Sequence, residues 1–288
     1  MLQTLTVKKW GNFIFDPIFF TDMQINTSLW YEYHGEYIAP NVVTLYGDCF
    51  SGKTTLFNVL RYLRDIVVDN TNDFKEADIE VSFFSGESIY KYSIITCNKG
   101  FLCEIIEKNG NITINSESHH LSSVITRSSS VEIYNWFSSM LFIPSSYDSD
   151  ITQKDFHKLN DAILFKYSDI IYPSFSDWYG ICYDEVRGCI SFSVNKHVTN
   201  FKICNLPVEL RELFALLPLL DFFIRSKSST LIIDDIDYIA KGLVKLLLQK
   251  RFIASLNSKY RSQLISFSNK MKNNVFTKES IFLLKSHL

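Results

Sequence analysis

The stretch from Asn41 to Leu60, NVVTLYGDCFSGKTTLFNVL, constrains this chain more than any other. It opens with an apolar, β-branched run (Val42, Val43, Leu45, Tyr46) that reads as a buried strand. Gly47 follows, then four residues, then Gly52-Lys53-Thr54 and apolar residues at helical spacing: Leu56, Val59, Leu60 and Leu63. Strand, G-x-x-x-x-G-K-T loop and helix, in that order, is the Walker A or P-loop arrangement in the context it requires. Gly47 and Gly52 let the backbone curl, so that successive N–H groups form an anion nest at the positive end of the helix. Lys53 can reach the β- and γ-phosphates of a nucleotide, and the Thr54 hydroxyl can ligate Mg²⁺. The nucleotide-binding candidates are therefore Gly47, Asp48, Cys49, Phe50, Ser51, Gly52, Lys53, Thr54 and Thr55.

A second stretch supplies the complementary chemistry. Leu231-Ile232-Ile233 runs into Asp234-Asp235-Ile236-Asp237, an apolar strand that ends in carboxylates, which is the Walker B pattern. Asp234 is the metal candidate beside Thr54. Asp235 is the catalytic candidate, placed to orient or deprotonate a water attacking the γ-phosphate.

Length and composition exclude several classes. A chain of 288 residues, 47% hydrophobic and 21% charged, has ample core for one large domain or two joined lobes. No apolar run approaches the roughly 18–20 residues of a membrane span; the nearest, Leu213 to Ile224, holds Pro218 and Asp221. The first residues lack the layout of a signal peptide. The six cysteines form no C-x-x-C pair or Cys/His cluster, so neither zinc nor a disulfide framework is indicated and a reduced cytoplasm is expected. Charge is uneven: Lys241 to Leu288 carries about +9 and the preceding chain about −11. The basic end is either a solvated face balancing an acidic remainder or a surface for an acidic partner or nucleic acid. Under the second reading, reversing the charges at Lys245, Arg251 and Lys259 should abolish partner binding.

Along the chain, Leu2–Val7, Ile14–Phe20 and Leu29–Tyr37 read as strands ahead of the P-loop. Ala77–Phe84, Ser88–Thr96, Phe101–Lys108 and Asn111–Ile114 read as an antiparallel meander, turned at Ser85-Gly86-Glu87, Asn98-Lys99-Gly100 and Asn109-Gly110. Glu117–Ser130, with His119-His120, reads as exposed loop; Met140–Ile143 as a buried strand; Asp155–Ile171 as a helix. A hairpin, Trp178–Asp184 with Cys189–Val194, precedes an apolar helix over Glu209–Ile224. A helix over Leu243–Leu256, a buried strand over Gln263–Phe267 and a short helix or coil complete the chain. The fold class is α/β: a P-loop NTPase of ABC-ATPase type, with a mixed central sheet, an antiparallel β subdomain and a short helical insert. The expected layout is a P-loop lobe over 1–120, the insert over 121–178, and a signature-helix and Walker B lobe over 179–288.

With these motifs in order, the chain resembles the ABC-type ATPases that include the OLD proteins and the bacterial "AAA ATPase domain" defence proteins, distant relatives of the SMC ATPases. LTVKKWGNF, TLYGDCFSGKTTLFNVLRYL and ALLPLLDFFIRSKSSTLIIDDID carry the resemblance. It implies ATP and Mg²⁺ as ligands, and a homo-oligomer or a hetero-complex with an effector protein. Three departures stand out. The family's signature, about L-S-x-G-T, falls on Leu206-Pro207-Val208-Glu209-Leu210, where Pro207 offers neither N–H nor hydroxyl and Glu209 brings a negative charge. Asp235 stands where the family has Glu, and its switch histidine falls near Asn269. Gln153 is a candidate Q-loop residue.

Other P-loop classes fit less well. The guanine-reading N-K-x-D falls on Asn269-Lys270-Met271-Lys272 with lysine in place of the acid, and Ser145–Tyr172 has no heptads for coiled-coil arms. A small-molecule kinase would begin near its P-loop strand. Two functions remain: a nucleotide-gated regulator of a partner effector in an antiphage or toxin-type system, with slow or absent hydrolysis, and an active ATPase that closes as an ATP-bound dimer.

Overall fold

The computed structural model describes residues 1–22, 30–69, 71, 73–117, 131–145, 158–167, 171, 178–184, 189–194, 197–202, 205–237, 242–256, 260–269, 281–283 and 286–287. The chain divides into two units: Met1–Ile143 with Lys227–Asp234 and Leu256–Leu288, and Pro144–Ser226 with Asp235–Ser255.

The first unit begins with β1 (Leu2–Trp10), the short strands β2 (Ile14–Phe15) and β3 (Ile18–Phe19), and the hairpin β4 (Trp30–Tyr33) and β5 (Glu36–Pro40). Then come β6 (Val42–Tyr46), α1 (Lys53–Asp69), the meander β7 (Ala77–Ser85), β8 (Ser88–Cys97), β9 (Gly100–Lys108) and β10 (Asn111–Glu117), followed by α2 (Val131–Ser138) and β11 (Met140–Ile143). The second unit takes α3 (Asp161–Lys166), β12 (Trp178–Asp184), β13 (Cys189–Val194), β14 (His197–Lys202) and α4 (Val208–Arg225). The chain returns to the first unit as β15 (Thr230–Ile233), gives α5 (Leu243–Leu247) to the second, and ends in the first with β16 (Gln263–Ser268), β17 (Ile281–Leu283) and β18 (Ser286–His287).

Two large sheets, with the two-stranded pairs β4-β5 and β18-β2, build the first unit. One runs β11-β15-β16-β6-β17 with every pairing parallel; the other runs β10-β9-β8-β7-β1-β3 with every pairing antiparallel. A mixed central sheet was the expectation; here the parallel and antiparallel strands keep to separate sheets. Parallel strands buried on both faces read as continuous apolar runs, which is why VVTLY and TLII lack alternation and are buried throughout. The meander alternates instead, with Ile79, Val81, Tyr92, Ile94 and Ile106 turned into the core that also takes Leu56, Leu60 and Leu63 of α1. Gln263 stitches β1 to the parallel sheet: its Oε1 accepts from Leu2 N (2.7 Å), and its Nε2 donates to the carbonyls of Leu2 (3.2 Å) and Pro40 (3.0 Å).

One buried carboxyl sits on the meander. Glu104 accepts from the Tyr92 hydroxyl at 2.9 Å. Burial raises its pKa from 4.5 to about 7, against the lowering pull of that hydrogen bond.

In the second unit β12, β13 and β14 form a three-stranded antiparallel sheet. Asp221 of α4, almost wholly buried, takes Lys166 Nζ and the Tyr167 hydroxyl on Oδ1 and Arg225 on Oδ2, each at 2.7 Å. Burial pushes this carboxyl up, but those hydrogen bonds and the two cationic charges outweigh it and hold the Asp221 pKa below its usual value.

Three departures from the expected layout have local causes. α2 begins at Val131, directly after the Ser/His-rich run, because Ile133, Trp136 and Phe137 at helical spacing give it a buried face. β14 adds a third strand to the expected hairpin. The end of the chain supplies β17, which extends the parallel sheet beside β6, where a short helix or coil was expected. Of the helix expected over Asp155–Ile171, the structure has α3; 151–157 lie outside the described residues, as do His119, His120, Gln153 and Lys259.

Candidate functional site

The candidate site lies in the first unit, where β6 ends and α1 begins. β6 stops at Tyr46 and its neighbour β16 at Ser268, whose carbonyl accepts from Gly47 N (3.3 Å). Asn269, the position of the expected switch residue, follows directly in the chain. Asp48, Cys49 and Phe50 are exposed, and Ser51 N closes a turn onto the Asp48 carbonyl (3.1 Å). The curl is made at Phe50 (φ 73°) and Gly52 (φ 84°), not at Gly47. Phe50 is 90% exposed and takes a backbone conformation that non-glycine residues rarely adopt. Gly52 is required twice over: its φ is positive, and a Cβ there would run into the buried Phe15 ring.

Lys53 opens α1 with its side chain folded back over the loop. Its ammonium donates to the carbonyls of Gly47 (2.5 Å) and Asp48 (2.7 Å) and to Ser51 Oγ (3.1 Å). The first turn of α1 holds no acidic residue, and its N–H groups have no acceptor within the helix. Thr54 and Thr55 belong to that turn. The helix end thus joins a cation to backbone donors, an arrangement suited to an anion.

Asp234 reaches the same place from β15. The strand is held in parallel register between β11 and β16, and Asp234 N donates to the Ile143 carbonyl (2.9 Å). The carboxylate is buried and accepts from Thr54 Oγ1 at 3.3 Å. The two metal candidates, 180 residues apart in sequence, are therefore neighbours. A hydroxyl and one carboxylate are hard oxygen donors, a set that suits Mg²⁺ when phosphate and water complete its octahedron. Among the described residues there is no cluster of three or more His, Cys, Asp or Glu side chains.

The other acidic and basic candidates are engaged differently. Asp235 is the next residue after Asp234, has φ 49° and opens the second unit's share of the chain. Asp237 pairs with Lys245 at 2.9 Å, with side-chain exposures of 9% and 15%. Arg251 Nη2 donates to the Lys166 carbonyl (3.4 Å). Reversing Lys245 would break a mostly buried ion pair before it reported on any partner, so that position does not test the basic-surface reading. At the expected signature position Pro207 caps α4 through its carbonyl, which accepts from Leu210 N (3.0 Å) and Arg211 N (3.1 Å), with no side-chain cap. The Asp221 cluster was not foreseen from the sequence; an aspartate within the apolar run Leu213–Ile224 was the available signal.

No protein-family model matches the sequence, and no curated protein does. Solved structures do. The chain aligns over 99% of its length, and 96% of that of the other chain, with an SMC head bound to the C-winged helix domain of ScpA, at TM-score 0.53 and 11% identity. It also matches the SMC head domain from Thermotoga maritima (TM-score 0.49, 14% identity, 93% of this chain and 89% of that one). A third match is the SMC head with an extended coiled coil bound to the C-terminal domain of ScpA from Pyrococcus furiosus (0.46, 9%, 93% and 89%). On the first of these, the chain has the fold of an SMC head domain, the ABC-type ATPase fold. Among the described residues no helix is long and apolar enough to cross a membrane.

Proposed function

We propose that this protein binds ATP with Mg²⁺ in the Gly47–Thr55 loop and uses it as a gate for a partner effector, with slow or absent hydrolysis. The observation that carries the reading is the 3.3 Å approach of Thr54 Oγ1 to Asp234 Oδ1 at the start of α1, with the Lys53 ammonium over the same loop. Phosphate oxygens would take the place of the Gly47 and Asp48 carbonyls as partners of Lys53, and the first-turn N–H groups would hold them. Thr54 and Asp234 would hold Mg²⁺, which neutralises phosphate charge when bound. The proline at the signature position supports the gate over the motor, because Pro207 brings neither hydroxyl nor N–H to a phosphate. The resemblance to OLD-like and defence-type ATPases supports an effector in an antiphage or toxin-type system as the partner, met as a hetero-complex or through a homo-oligomer. Nucleic acid at 241–288 remains part of the proposal through the net positive charge of that region.

One observation favours the alternative, an active ATPase closing as a dimer. Asp235 holds φ 49°, a backbone strain of the kind that gathers at reacting centres, directly beside the metal candidate. Single-turnover cleavage of bound ATP separates the two, run with Lys53→Ala and Asp235→Asn beside the wild type. Lys53-dependent binding without cleavage is expected. Cleavage by the wild type that both variants lack would make the motor the better reading, and binding that ignores Lys53 would remove both.

A further inference from the structure

Where β15 and β16 begin, at the far end of the strands from Asp234 and Ser268, the first unit holds a cavity of about 240 Å³. The nucleotide chemistry uses none of its residues. Phe84 and Trp136 form aromatic walls, Asn135, Ser139 and Ser228 bring hydrogen-bonding groups, and Arg261 brings the charge. Among the described residues no carboxylate lines it.

Both the charge and the walls are held in place before any ligand arrives. Arg261 Nε donates to the Tyr31 hydroxyl (2.8 Å) and Nη1 to the Gly86 carbonyl (3.1 Å), while the guanidinium lies 5.5 Å from the Tyr31 ring centre. Among the described residues Arg261 has no ion-pair partner, and these contacts leave Nη2 to an incoming acceptor. The Trp136 ring is fixed by stacking on Phe83 at 3.8 Å and 4°. Its Nε1–H is buried without a hydrogen-bond partner among the described residues. The volume equals that of about eight bulk waters, enough for one aromatic ring with one acid group and too small for a nucleotide with its phosphates.

We propose that this cavity binds a small aromatic carboxylate, its ring against Trp136 and Phe84 and its carboxylate on Arg261. The remaining Nη2 offers a carboxylate a charge-assisted hydrogen bond, and the fixed Trp136 ring takes an aromatic ring against it. The site is independent of the nucleotide reading, since neither its residues nor its test involves ATP.

Ligand-observed NMR titration of the full chain with benzoate tests the proposal, with benzamide as the uncharged isostere. Two variants accompany it. Arg261→Gln removes the charge, and Asn135→Phe, at an exposed position of α2, fills the mouth without touching the core. Saturable benzoate binding in the millimolar range or tighter is expected, weakened at least about tenfold for benzamide and for both variants. An unchanged melting temperature for Asn135→Phe would show that its loss of binding is local. Absence of saturable benzoate binding, equal binding of benzamide, or unchanged affinity in both variants would each overturn it.

Discussion

Buried charge is held differently at the loop before α1, in the first unit, and around Asp221 and Asp237, in the second. In the second, Asp221 takes three donors from Lys166, Tyr167 and Arg225, and Asp237 takes Lys245, so buried carboxylates are matched to cations. In the first, the Lys53 ammonium rests on two backbone carbonyls and a hydroxyl, and the Asp234 carboxylate meets the Thr54 hydroxyl. Matched charge stabilises a fold and leaves little for a ligand to do. Hydrogen bonds from an ammonium to neutral oxygens, such as those of Lys53, can be exchanged for charge-assisted bonds to a phosphate.

Two substitutions test that contrast most sharply. Lys53→Ala should weaken ATP binding by at least a hundredfold, roughly 3 kcal/mol, while moving the melting temperature little. Calorimetric titration measures the first and thermal unfolding the second; a large stability loss with intact affinity would reverse the assignment. Asp221→Ala should do the opposite, destabilising by about 2–3 kcal/mol with ATP affinity unchanged. That is less than for a pair buried on both sides, because Lys166 and Arg225 are 44% and 64% exposed and can return to water. Urea unfolding at neutral pH gives the value. The Asp221 contribution should also fade as the solution is acidified through its lowered pKa, since the folded state holds the ionised form.

Much of this layout is legible in the sequence. The fully buried runs VVTLY and LIID announce parallel strands, and Gly86 and Asn109-Gly110 sit at the meander's turns because those positions need φ above zero. Other features are settled by tertiary context. Phe50 occupies a left-handed position that composition assigns to glycine, so the curl of the loop could not be credited to it in advance. Gln263 reads as one more residue of a strand, yet it fastens Leu2 and Pro40 through contacts more than 200 residues away. β17 is too short and too remote from β6 in sequence for its pattern to fix its pairing. The approach of Thr54 to Asp234 follows from Walker logic, but the closed network around Asp221 needs the fold.

Glu104 marks the limit of the contrast, being a buried carboxyl of the first unit with no cation beside it among the described residues. Its pKa is raised to about 7, so between the unfolded value near 4.5 and that point the folded protein holds a proton that the unfolded chain has released. Stability should fall as pH rises across this window, the reverse of the Asp221 effect. Glu104→Gln removes the titration and keeps an acceptor for Tyr92, so near pH 8 it should be more stable than the wild type by about 3 kcal/mol. Near pH 4.5 the two should coincide. A pH-independent difference in chemical unfolding would mean that Glu104 ionises freely in the folded protein.

The smallest effect concerns the two helix starts. α1 begins with Gly52-Lys53-Thr54 and no acidic first turn; α4 begins at Pro207, whose carbonyl alone caps the helix. Pro207→Ser supplies the hydroxyl that an L-S-x-G-T signature would have at this position. A serine cap contributes about 0.5–1 kcal/mol, and losing proline's constraint on the unfolded chain removes a similar amount, so stability should stay within about 1 kcal/mol. The informative readout is functional. If Pro207 is what holds hydrolysis back, Pro207→Ser should raise single-turnover cleavage of bound ATP while leaving affinity within about twofold, because the proposed phosphate and metal ligands lie in the first unit. Cleavage that stays absent with the hydroxyl restored would move the cause from the start of α4 to Asp235 or to a missing partner. Affinity that rises with the serine would mean that the second unit contributes to nucleotide binding.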